Sequence, residues 1–156
     1  MEKTDIPSVE DIINLIHEEL RAPRYAYYRD DSPEKAMENA LAKQFAEKYG
    51  KHHVAQQYSV GGFLSLKCDI DLFDRKCCGI ELKLAKQLKN SATAMQRVIG
   101  QVVYYSRRCY NNSGLILLIV GTEKELDSKL DELRKFIEEF PNVYFVYKQV
   151  ATMRPF

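Results

Sequence analysis

An α/β sandwich, a mixed central sheet flanked by helices, is the fold this sequence predicts, on three observations. Helix-period apolar stripes and period-two runs follow one another along the chain. One run, Gly114–Gly121 (Gly-Leu-Ile-Leu-Leu-Ile-Val-Gly), is apolar throughout, as a strand covered on both faces requires. The resulting order (helix, helix, strands, helix, strand, helix, strand) is that of helices packed around a mixed sheet.

The first helix starts at Ser8, with Asp11 three residues on as a capping box, and its stripe is Val9, Ile12, Ile13, Ile16 and Leu20. Pro23 ends it, and the tyrosine-rich stretch from Arg24 to Ser32 reads as a loop. Ser32-Pro33 opens a second helix that runs to about Tyr49, with Gly50 as its stop and Met37, Leu41 and Phe45 facing the core. From Phe63 to Phe73 the chain alternates strictly. Leu64, Leu66, Cys68, Ile70 and Leu72 take one face of a strand, and Ser65, Lys67, Asp69 and Asp71 the other. Asp74, Arg75 and Lys76 turn the chain, and Ile80, Leu82 and Leu84 alternate with Glu81 and Lys83 in the hairpin's second strand. Asn90 or Ser91 caps a helix to Cys109, with Met95, Ile99, Val102 and Val103 inward. After the apolar strand, Thr122 and Glu125 form a capping box for a helix through Phe140, striped by Leu126, Leu130, Leu133, Ile137 and Phe140. Pro141 breaks that helix, and Val143 to Val150 is the last strand.

The chain has 156 residues, 46% hydrophobic and 29% charged, so one domain over residues 1–156 with a real core is expected. The longest apolar run, Leu115 to Val120, is far short of the roughly 20 residues a membrane-spanning helix needs. The N-terminus lacks the basic and apolar regions of a secretory leader, so membrane spanning and secretion are not expected. Cys68, Cys77, Cys78 and Cys109 show no C-x-x-C pair or zinc-ligand spacing, and Cys77 and Cys78 are adjacent, a poor geometry for a disulfide, which reads as a reducing, cytoplasmic setting. His17, His52 and His53 make no metal triad by spacing, and phosphate-cradling glycine loops are absent. Net charge is only +1, yet no acid occurs from Leu82 through Thr122, where Lys83, Lys86, Lys89, Arg97, Arg107 and Arg108 all fall.

With the turn centred near Lys76, antiparallel counting sets Phe73 opposite Gly79, Asp71 opposite Glu81 and Asp69 opposite Lys83. Two carboxylates that close repel, and a divalent cation offsets the repulsion. Carboxylates, a backbone carbonyl (that of Leu82) and water are the hard oxygen ligands Mg²⁺ or Mn²⁺ prefers. Lys83, on the same strand face, would orient or help deprotonate a water there. The chemistry expected is metal-assisted hydrolysis of a phosphodiester. The tripeptide [D/E]-x-K occurs three times in the chain, at Asp74, Glu81 and Asp127, and strand context singles out Glu81 and Lys83. The alternative is an ordinary solvated hairpin face.

In Asp69-Ile-Asp71-Leu, the turn, and Gly79-Ile-Glu81-Leu-Lys83, the chain resembles the PD-(D/E)XK nuclease superfamily, over a core of about residues 33–121. The resemblance implies a restriction-endonuclease-like three-layer sandwich, with the N-terminal helix and the C-terminal helix and strand as additions. It implies Asp71 as the metal acid and Glu81 and Lys83 as the E-x-K, although the leading proline is missing. Gln101-Val-Val-Tyr-Tyr105 fits the Q-x-x-x-Y element that some members carry on the crossover helix. The family's glutamate on the helix before the meander falls on Glu38, with Glu34 competing for the role.

The resemblance thus implies a Mg²⁺-dependent nuclease with nucleic acid, DNA favoured, as substrate, and Asp71, Glu81, Lys83, Gln101 and Glu38 as catalytic candidates. Lys86, Lys89, Arg97, Tyr105 and Arg108 are the expected nucleic-acid contacts, joined by Lys51, His52 and His53 in a loop. Tyr25, Tyr27 and Tyr28 could stack on bases or pack on the protein. No base-reading module is visible, so target choice falls to nucleic-acid structure, a homodimer or a partner subunit. A catalytically inactive module of the same fold, binding nucleic acid or protein, is the alternative.

Overall fold

A computed structural model of the chain describes residues 5–20, 32–61, 66–125 and 127–149. It contains helices α1 (Val9–Glu19), α2 (Pro33–Tyr49), α3 (Ala85–Asn90), α4 (Ala92–Arg108) and α5 (Ser128–Ile137). Strands β1 (Val54–Gly61), β2 (Leu66–Leu72), β3 (Cys78–Leu84), β4 (Gly114–Gly121) and β5 (Val143–Gln149) form one open sheet in chain order. The first three pair antiparallel through short connections, and β3–β4 and β4–β5 pair parallel, each with helix between. That is the connection a parallel pair needs. The protein is α/β, with a five-stranded mixed sheet and helices, an arrangement consistent with a three-layer sandwich.

Two apolar clusters share the sheet. One joins α1 and α2 to Ile70, Leu72, Ile80, Leu82, Ile116 and Leu118. The other joins α3, α4 and α5 to Leu115, Leu117, Ile119 and Val143. Strand β4 supplies both and is buried along its whole length, as its unbroken apolar run predicts.

Several predicted boundaries hold. Ser8 and Asp11 make the reciprocal capping box of α1, α2 runs from Pro33 to Tyr49, and Ser91 accepts from the Ala94 N–H to cap α4. Gly50 closes α2 at φ 96, a conformation that glycine tolerates. Others differ. Strand β1 had no predicted counterpart: Gln56, Gln57 and Ser59 are exposed, and the two glutamines interrupt any alternation. The capping box at Thr122 forms only in part, Glu125 accepting from the Thr122 N–H, and α5 starts later, on the Asp127 cap. On α4 the buried face is Val98, Val102 and Tyr105, so Met95, Ile99 and Val103 are left half-buried. Pro23, Tyr25, Tyr27, Tyr28, Phe63, Leu64, Ser65, Leu126 and Val150 lie outside the described residues.

The hairpin register also differs. Its pairs are Ile70 with Ile80, Asp71 with Gly79 and Leu72 with Cys78, so the turn centres on Arg75, not Lys76. Phe73, Asp74 and Arg75 all have positive φ (61, 48 and 69), a left-handed turn that sequence counting does not anticipate. Moving the centre by one residue moves the register by two and leaves faces unchanged. Asp71 therefore faces Gly79, and Asp69 is the acid brought to Glu81.

Candidate functional site

β2 and β3 part beyond the Ile70–Ile80 pair, and the two acids fill the gap. The Asp69 N–H donates to Glu81 Oε1 at 3.2 Å, and the Leu82 N–H donates to Asp69 Oδ2 at 2.8 Å. Each carboxylate thus stands in for a carbonyl of the opposite strand. In β1, Gln57 is pushed to φ 51 and does not pair with Asp69; its side-chain amide instead bridges Asp69 Oδ1 (3.1 Å) and Glu38 Oε1 (2.7 Å). The alternation of β2 breaks at the same level, because Cys68 packs on the α4 side whereas Ile70 and Leu72 pack on the α1–α2 side.

Glu38, 3% exposed, comes from α2, and its other oxygen accepts from Lys35 Nζ (2.9 Å) and Gln56 Nε2 (2.6 Å). Glu34, one turn earlier, accepts from the Leu84 N–H at 3.3 Å, so both of the competing helix glutamates reach this end of the sheet. Lys83 Nζ lies 3.3 Å from Glu81 Oε2, an oxygen that is buried and accepts no hydrogen bond.

Burial governs the electrostatics. Glu81, 1% exposed, is pushed up to about 8, first by loss of water and then by the Asp69 charge, with Lys83 opposing. Burial raises Asp69 too, against the Leu82 N–H and Lys83, and raises Glu34, which also feels Asp69 and Glu38. At neutral pH without a cation the pair therefore holds a proton, mainly on Glu81.

The remaining candidates divide. Asp71 is buried but turned away from this gap, accepting from the Tyr110 hydroxyl (2.8 Å) and the Arg75 N–H (3.1 Å); it anchors the left-handed turn. Leu82 points its N–H toward β2, and in an extended strand its carbonyl points to the same side. Tyr105 is 0% exposed and donates to the Lys67 carbonyl at 3.0 Å, so the expectation that it touches nucleic acid is corrected: it is a wall beneath the acids. Gln101 sits beside that hydroxyl, with its Oε1 buried and unbonded. Lys89 is engaged by Asp127 (3.3 Å), whereas Lys86, Arg97 and Arg108 are exposed. Lys51, His52 and His53 form a 3₁₀ turn, not an open loop, with His53 stacked on Phe73.

Sequence counting missed Asp69 as the partner of Glu81, and missed Gln57, which carries no sequence signal. Asp69 was within reach, since it alternates with Asp71 and only the turn centre decided between them. The donor set offers two adjacent carboxylates, one of whose oxygens, Glu81 Oε2, meets only the Lys83 ammonium, and the carbonyl of Leu82. Among the described residues no three His, Cys, Asp or Glu side chains gather as ligands by themselves. A Mg²⁺-type ion needs only one or two carboxylates besides water, so these residues fit one. No protein-family model, curated protein or solved structure matches the chain.

Proposed function

We propose that this protein is a metal-dependent phosphodiester hydrolase acting on nucleic acid, DNA being favoured, with a restriction-endonuclease-like fold of the PD-(D/E)XK kind. The observation that carries the reading is the pair Asp69 and Glu81, forced together where β2 and β3 separate, with Glu81 Oε2 ion-paired to Lys83 at 3.3 Å. A buried like-charge pair is costly unless a proton or a cation sits in it. Helix α2, the β1–β3 meander, α4 and β4 follow the order the resemblance implies.

Asp69 and Glu81 would hold Mg²⁺ or Mn²⁺, with the Leu82 carbonyl as a third oxygen; bound there, the ion supplies charge neutralisation for the attacking water and the phosphoryl oxygens. Lys83 Nζ is positioned to orient that water or donate to a developing anionic oxygen. Gln57 fixes the Asp69 rotamer by holding Oδ1, and the Leu82 N–H fixes Oδ2. Glu38 acts one step back, by holding Gln57. Four free, buried thiols fit the reducing, cytoplasmic setting included in this reading.

Cleavage of plasmid and oligonucleotides with Mg²⁺ or Mn²⁺, with and without chelator, tests it. Wild type should cut only with metal. Asp69→Asn and Lys83→Ala should lose at least about a hundredfold, and Asp71→Asn should keep its activity per folded molecule. An inactive binding module is the answer if no substrate is cut with either metal.

A further inference from the structure

The outer face of α4 carries a groove of about 630 Å³ along Arg97, Gly100, Gln101, Tyr104, Arg107 and Arg108. Arg97, Arg107 and Arg108 are exposed, and none has an acidic partner among the described residues. The other two described arginines are engaged: Arg134 pairs with Asp131, and Arg75 donates to the Tyr58 hydroxyl. Among the described residues, unpaired guanidinium charge is thus concentrated on one groove. Its floor is not polar. Leu66, Val103 and the half-buried ring of Tyr104 line it, and a Cβ at Gly100 would meet nothing within 4 Å, so bare helix backbone lies open there.

From this combination we propose that the α4 groove binds an unpaired strand of the nucleic acid to be cut, which deepens, and rests on, the hydrolase reading above. A duplex presents phosphates and turns its bases inward, so arginines alone would serve it. An apolar and aromatic floor beneath an arginine rim serves unstacked bases, which lie on the ring while the backbone runs along the charges. Gln101 lines the groove, and one turn on Tyr105 donates its hydroxyl to the carbonyl of Lys67 on β2, two residues before Asp69.

The test is fluorescence anisotropy in chelator, so that no cutting intervenes, with a dye-labelled oligothymidylate, the corresponding blunt duplex, and polyglutamate as competitor. The single strand should bind at least about tenfold more tightly than the duplex. Gly100→Leu fills the groove and favours helix, so its melting temperature should not fall, yet its affinity for the strand should drop at least about tenfold. Tyr104→Ala should weaken binding by a similar factor, and Arg107→Glu should also flatten the salt dependence. Equal affinity for duplex, wild-type binding by Gly100→Leu, or competition by polyglutamate as effective as by unlabelled strand would each overturn the proposal. Strand binding that Gly100→Leu abolishes, without metal-dependent cleavage, would sink the hydrolase reading and leave the groove. Cleavage of single strands that needs Asp69 but ignores Gly100→Leu would do the reverse.

Discussion

A carboxyl group with almost no access to water, set against a second carboxylate, keeps its proton well past the usual acid range, and Glu81 does so up to about 8. The consequence for stability has a definite sign. In the unfolded chain Glu81 ionises near 4.5, so between 4.5 and about 8 the folded state binds the extra proton and stability falls as pH rises. Below that window this group costs nothing, and above it the full penalty applies, on the order of a few kcal/mol. Glu81→Gln removes the titration. Its metal-free protein should match wild type near pH 5 and exceed it by a few kcal/mol near pH 9; urea melts at both pH values measure the difference, and parallel curves would mean that the pair is solvated.

Most elements were legible because each carries its own periodicity and punctuation: Ser8 and Asp11 for α1, Pro33 and Gly50 for α2, and the unbroken apolar run for β4. The hairpin was legible as two strands but not as a register. Register depends on the turn, and three successive left-handed residues, none a glycine, leave no compositional mark. What holds that turn is partly tertiary: beside the local Arg75 N–H on Asp71, Tyr110 holds Asp71 and Tyr58 holds Asp74. Tyr58 and Tyr110 are 16 and 39 residues from the acids they hold, so the joint effect cannot be read locally. Gly79 belongs to the same assembly. A Cβ there would sit 2.3 Å from the Tyr110 ring, so Gly79→Ala must displace the ring or the strand. A loss of about 1 to 3 kcal/mol is expected from overpacking. Tyr110→Phe should cost a similar amount, by leaving the buried Asp71 carboxylate with only the Arg75 N–H as donor. Both are checked by chemical denaturation, and Tyr110→Phe should retain metal-dependent cleavage per folded molecule.

Across the whole molecule, helices on the two faces of the sheet bring side chains from α2, β1, β2 and β3 to the place where the meander opens. Gln57 from β1 reaches Asp69, and Glu38 reaches Gln57 because α2 packs on β1. The site was therefore half readable: Glu81 and Lys83 from strand context, Glu38 from the resemblance, but not the relay through Gln57. Binding of a cation to the folded protein alone should raise the melting temperature by mass action. Because the cation competes with the proton on Glu81, Mg²⁺ should raise it more at pH 8.5 than at pH 6, by several degrees if the metal is in large excess. Equal shifts at both pH values would place the ion elsewhere.

The β2–β3 seam has a further consequence. Its ladder has three residue pairs where β3–β4 has seven, and past its end the amides of Asp69 and Leu82 are tied to carboxylate oxygens, not to peptide carbonyls. Those two main-chain protons are consequently wired to whatever occupies the acids. Their resonances in an ¹⁵N-labelled sample should move together, ahead of the rest of the sheet, each time the pair exchanges a proton for an ion, giving a spectroscopic readout that needs no substrate.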